Sequence, residues 1–158
     1  MSPRRSLGSA LLAVTITVAA LAGCGGGPEQ VSAEELVERG DPICAEERRQ
    51  FDEIQAEPLT SAAVGERQAE QLLAVTEDAQ TDLRDLEPPE EIRDTYERYL
   101  DARDEVGDLL EEGKEAAGRR DGDAYGKAQE EAAAGAAGRQ QLARQLGFTV
   151  CSQGSRTP

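Results

Sequence analysis

Ala69, Leu72, Thr76, Ala79, Leu83 and Leu86 follow one another at steps of three and four residues. That spacing keeps a stripe on one face of an α-helix, whereas a strand would divide the same positions between its two faces. A stripe of this kind must be buried against another element, so the chain needs further helices or a sheet to cover it. The flanking residues delimit the helix: Thr60-Ser61 opens it and Pro88-Pro89 stops it.

Three more segments carry a similar face. Ser32-Ala33-Glu34-Glu35 has the form of a capping box and starts a short helix to about Arg39. Gly40-Asp41-Pro42 is expected to break or kink it, with Asp41 as N-cap and Pro42 as the first residue of a stronger helix. Ile43, Phe51 and Ile54 line that helix, which is predicted to end near Glu57-Pro58. Pro89-Glu90-Glu91 begins the next, with acids where the helix dipole favours them, and Ile92, Tyr96, Tyr99, Val106 and Leu110 share its face. Gly118 to Gly122 is a turn, and Asp121 or Asp123 caps a last, Ala-rich helix interrupted by Gly126, Gly135 and Gly138. Each such Gly weakens a helix by ~1 kcal/mol relative to Ala, so this segment is the least secure. Gly147 suits its C-terminal cap, and Phe148 and Val150 lead on to Cys151. The expected fold class is all-α: an up-down-up-down four-helix bundle over residues 32–151, followed by a disordered tail at 152–158.

The first residues read differently. Arg4 and Arg5 precede an apolar run from Leu11 to Leu21, and the small residues Ala22 and Gly23 stand before Cys24. Charge, apolar core and small residues in that order describe an export signal, and the run is shorter than the ~20 residues a membrane-spanning helix needs. Leu21-Ala22-Gly23-Cys24 resembles the bacterial lipobox, which implies a cleaved signal peptide at 1–23 and a diacylglyceryl (palmitate-type) lipid on the sulfur of Cys24. Residues 24–31, with Gly25-Gly26-Gly27, are then a flexible tether. Arg4-Arg5-Ser6-Leu7 faintly resembles a twin-arginine signal. No motif for a cofactor inserted before export follows it, so general secretion is the simpler route.

All 32 acidic residues and all but two of the 17 basic ones lie after Gly23, so that part is still more acidic than the whole chain's −15. Such a surface repels nucleic acid and anionic headgroups. The core is thin: Leu, Ile, Val and Phe account for 22 of the 134 residues from 25 to 158, below the ~20 % that, with high charge, marks disorder. Cross-linking offers compensation. With Cys24 lipidated, Cys44 and Cys151 remain for a disulfide in an oxidising compartment. In an up-down-up-down bundle the start of the helix after Pro42 and the exit of the last helix meet at one end. The two cysteines stand at those places.

On the helical wheel Glu47 falls within the apolar face of its helix and Arg139 within that of the last one, at similar heights. A semi-buried Glu47–Arg139 ion pair is expected to fix which helix lies beside the first. Arg103, on the inner face of the third helix, has no assigned partner.

Ile43-Cys44-Ala45-Glu46 after Asp41, Leu86-Glu87-Pro88-Pro89, Tyr96-Glu97-Arg98-Tyr99-Leu100, and Leu146-Gly147 shortly before Cys151 together resemble a group of small helical lipoproteins of actinomycete-type bacteria. The resemblance spans most of the chain after the leader. It implies a helical fold and an extracytoplasmic, membrane-anchored location, but no activity and no active site.

Catalytic chemistry has few footholds. The chain has no His to serve as base to a nucleophilic Ser or Cys, and it lacks the His, Met and free-Cys clusters of zinc, copper or haem sites. The Glu-x-x-His pair of di-iron bundles is missing, and Asp121-Gly122-Asp123 is too short for a calcium loop. Pairs such as Glu46-Glu47 and Glu90-Glu91 point about 100° apart on a helix and chelate poorly. No catalytic residue, metal site or cofactor is therefore assigned. The expected function is a non-enzymatic, lipid-anchored module that docks an envelope protein or cell-wall component, with no nucleic-acid partner. The alternative is an acidic binder of divalent cations or small ligands at the cell surface.

Overall fold

A computed structural model describes residues 30–154; residues 1–29, with Cys24 and the expected signal peptide, and residues 155–158 lie outside the described residues. Four helices pack together: α1 (Ala33–Gln55), α2 (Ala62–Arg84), α3 (Glu90–Gly118) and α4 (Gly122–Gln145). Each packs on the next in sequence, and α3 has α2 and α4 as its main partners. None of the described helices is long and apolar enough to cross a membrane.

The ends of the helices follow from local chemistry. Ser32 Oγ accepts from the Glu35 amide at 3.1 Å and Glu35 Oε2 accepts from the Ser32 amide at 2.8 Å, a complete capping box. Ser61 caps α2 through the Val64 amide, and Asp121 caps α4 through that of Ala124. At the end of α4 the Phe148 amide donates to Ala143 and that of Gly147 to Arg144. Gly147 takes φ +87°, the left-handed conformation that closes this double-bonded cap.

The expected break at Gly40-Asp41-Pro42 does not occur: α1 runs through Pro42. Leu36, Gly40 and Cys44, spaced by four, are buried on one side, while Pro42 and Glu38 are exposed on another. The carbonyl that loses its donor to proline therefore belongs to an exposed residue, and packing on the opposite side carries the helix through. Asp41 is not a helix cap. Its Oδ1 accepts from the amides of Val150 and Cys151, and its Oδ2 from the amide and hydroxyl of Thr149.

Those bonds hold the segment after α4 against the middle of α1. Phe148 sits over Gly40, Cys151 is bridged to Cys44, and Gln153 accepts from Arg48. The disulfide pairs the residues expected, 107 apart in sequence, though it meets α1 near its middle rather than its start. Both borders of the bundle move outward. Val31, assigned to the tether, is 4 % exposed and donates its amide to Glu87, while Ser152 donates its hydroxyl to Thr149 within the segment read as tail.

The core is built from Leu36 of α1, Leu83 of α2, Tyr96 and Tyr99 of α3, Ala143 of α4 and Phe148. All six expected seam positions from Ala69 to Leu86 are buried. Along α4 only Ala128 and Ala143 are buried, so that helix contributes small side chains and close approach more than apolar bulk. Gly113 of α3 faces Ala128 there.

Candidate functional site

Arg103 lies at the centre of the described polar interior. It is 6 % exposed, and its Nε donates to Gln80 Oε1 at 2.9 Å and its Nη2 to Glu47 Oε1 at 2.8 Å. Gln80 in turn donates to the Leu100 carbonyl and to Asp104, which also receives Arg84. The chain of contacts runs from α1 through α3 to α2, with both charges of the central pair largely out of water. Removal from water opposes the charge on Arg103, but the adjacent Glu47 carboxylate outweighs it and holds the guanidinium more firmly protonated than usual. Tyr99 stands 3.6 Å from Cys44 Sγ, and because the bridged sulfur has no proton the hydroxyl is the donor. Burial pushes the Tyr99 phenol up.

The expected Glu47–Arg139 pair is thus replaced by Glu47–Arg103. The wheel placed both residues correctly on inner faces. What it missed is that α3, packed between α2 and α4, brings another guanidinium to the same carboxylate. Arg139 has no carboxylate within ion-pair distance among the described residues, and its Nη1 is buried without a hydrogen-bond partner. Burial first, and then repulsion from Arg103, lower its proton affinity.

Arg139 lines a cavity of about 90 Å³ beside the disulfide. α1 contributes Glu47, Arg48 and Phe51 to the wall, and α3 contributes Arg103 and Val106. Thr76 of α2 closes the interior side, 5 % exposed, with its Oγ1 lacking any partner. The segment after α4 forms the remaining wall: Arg48 Nη2 donates to the Val150 carbonyl at 2.6 Å and Nη1 to Gln153 at 2.9 Å. Thr76 was legible as a seam position but not as a cavity wall, since a Thr at such a place commonly bonds its own helix.

A second, mostly apolar groove of about 290 Å³ lies where the α1–α2 and α3–α4 connections meet, lined by Leu59, Ala62, Ala117 and Tyr125. Leu59 is 59 % exposed there. Among the described residues no three His, Cys, Asp or Glu side chains gather as a metal site. Neither a protein-family model, a curated protein nor a solved structure matches the chain.

Proposed function

We propose that this chain is a lipid-anchored, extracytoplasmic helical module of the actinomycete-type lipoprotein group that binds a small ligand without transforming it. The observation that carries the reading is the cavity beside the disulfide, whose wall gathers the guanidinium groups of Arg48, Arg103 and Arg139 against the single carboxylate of Glu47. A concave site with apolar walls and a few convergent polar groups is where a small ligand binds. No His or free-thiol nucleophile lines it, which supports binding over catalysis.

The tether and topology belong to the same reading. Short connections and the Val31–Glu87 contact, which sets the start of α1 beside the α2–α3 connection, support an up-down-up-down bundle. A lipid anchor upstream of Val31 holds that end toward the membrane and turns the groove around Leu59 away from it. The mostly apolar groove there favours a second reading, docking of an envelope protein at the outer end.

The test is a thermal-shift screen of the purified chain against neutral, anionic and cationic small molecules, with calcium and magnesium at constant ionic strength. A ligand that raises Tm in the wild type and not in Arg139→Gln supports the cavity. A shift from the cations alone returns the function to the acidic surface. Labelling with radioactive palmitate, lost in Cys24→Ser together with membrane retention, tests the anchor.

A further inference from the structure

We propose that the cavity beside the disulfide is a binding site for the carboxylate group of a small organic acid, held by Arg139. The inference rests on the small-ligand reading above and names its chemical class.

The sign of the charge follows from the wall. Three guanidinium groups line the cavity, from Arg48, Arg103 and Arg139, against the single carboxylate of Glu47. Glu47 is bound to Arg103, and Arg48 donates to uncharged groups, the Val150 carbonyl and the Gln153 side chain. Two positive charges therefore have no counter-charge in the wall. A buried cation without one is unfavourable, and a bound anion relieves it. The outer surface of this acidic chain opposes an approaching anion, but surface charges are screened beyond ~8 Å at physiological salt. Within a few ångströms the arginines decide.

The choice of carboxylate follows from size and lining. A 150 Å³ apolar cavity accepts benzene, so about 90 Å³ admits a group of roughly four or five heavy atoms. A carboxylate takes paired N–H donors from a guanidinium, a geometry that suits Arg139 in this wall. Phe51, Val106 and Val150 give the remaining wall an apolar character that a short hydrocarbon body satisfies and a phosphate or sulfate does not.

The experiment titrates the full chain, purified in detergent, with propionate, propionamide and inorganic phosphate, following tyrosine fluorescence and calorimetric heat at constant ionic strength. Propionate is expected to bind. Propionamide, nearly the same shape without the charge, and phosphate are expected to bind at least 10-fold more weakly. Arg139→Gln is expected to weaken propionate by about 10- to 100-fold, the range for losing a hydrogen bond to a charged group. Arg139→Lys, which keeps the charge without the paired donors, is expected to weaken it only several-fold with an unchanged circular dichroism spectrum. Equal binding of propionate and propionamide overturns the charge assignment while leaving small-ligand binding in place. Tighter binding of phosphate overturns the carboxylate. Absence of binding by all three overturns the carboxylate site, and the small-ligand reading falls with it only if the wider thermal-shift screen also finds no ligand.

Discussion

The ring of Phe148 lies against the backbone of Gly40 so closely that a methyl group there would stand 2.5 Å from Cε1 and 2.9 Å from Cζ. Phe148 is 2 % exposed and packs on Tyr99 with ring centroids 5.6 Å apart, so it has no free direction in which to yield. Gly40→Ala gains about 1 kcal/mol of helix propensity, yet forces an overpacked core, which typically destabilises by 1–3 kcal/mol or more. The expected net effect is a loss of ~1–2 kcal/mol, seen as a lower urea midpoint at unchanged slope. A rise in midpoint would mean that the ring is not held where the structure places it.

How far the sequence reveals this architecture depends on the range of the deciding contact. The α2 stripe, the Ser32–Glu35 capping box and the Gly147 cap are decided within a few residues, and each was readable. Pro42 was misread because continuation of α1 depends on Gly40 meeting Phe148 and Asp41 meeting Thr149, both over 100 residues away along the chain. Glu47 was recognised as an inward acid, but a helical wheel gives a direction and not the element that answers it. Packing of α3 against α2 decided for Arg103. The cavity left no sequence signal at all, since its wall draws on all four helices and the C-terminal segment.

The Glu47–Arg103 assignment has an energetic signature. Removing one member of a pair this buried leaves the other charge uncompensated, a loss of about 3–5 kcal/mol in comparable cases. Double-mutant cycles are expected to give a coupling of at least ~1 kcal/mol for Glu47→Gln with Arg103→Gln, and a smaller one for Glu47→Gln with Arg139→Gln. The reverse order would restore the pairing read from the wheel.

The disulfide ties the C-terminal segment to α1 across 107 residues. In the chain-entropy treatment a loop of about that size stabilises by ~4.7 kcal/mol. A domain of this length has ~5–15 kcal/mol in total, so the bridge is a large share of it. Cys44→Ala with Cys151→Ala is expected to lower the unfolding free energy by about 3–5 kcal/mol. Reductant is expected to do the same to the wild type and nothing to the double variant. Chemical denaturation followed by far-ultraviolet circular dichroism measures both.

Asp41 makes the attachment dependent on acid. Partial burial alone would raise its pKa, but hydrogen bonds from the Thr149 side chain and the amides of Cys151, Thr149 and Val150 overcome that and hold it below the ordinary 3.8. A carboxyl depressed in the folded state contributes stability that is complete above its unfolded value and is lost as pH falls through the folded one. The difference in unfolding free energy between wild type and Asp41→Asn is therefore expected to be flat from pH 7 to about pH 5 and to shrink below about pH 4. At neutral pH the variant loses on the order of 2 kcal/mol, the scale of hydrogen bonds to a charged group. A difference independent of pH would mean that the charge of Asp41 plays no part.

Arg120 is the one described residue other than glycine with positive φ, at 60°. It ends α3 with the same pair of bonds that Gly147 completes on α4: the Arg120 amide donates to Ala117 and the Asp121 amide to Ala116. A side chain in the left-handed region crowds the following carbonyl by roughly 1–2 kcal/mol, a penalty glycine does not bear. Arg120 is exposed and forms no ion pair or side-chain hydrogen bond among the described residues that its loss would forfeit. Against this relief, glycine gives the unfolded chain more freedom to lose on folding, which offsets about half. Arg120→Gly is thus expected to stabilise by ~0.5–1 kcal/mol and to raise Tm by a few degrees, whereas Arg119→Gly, one residue earlier at φ −78°, is expected to destabilise. Opposite signs at adjacent arginines are the outcome that places the turn of the chain at Arg120. A loss at both positions would mean that α3 ends elsewhere.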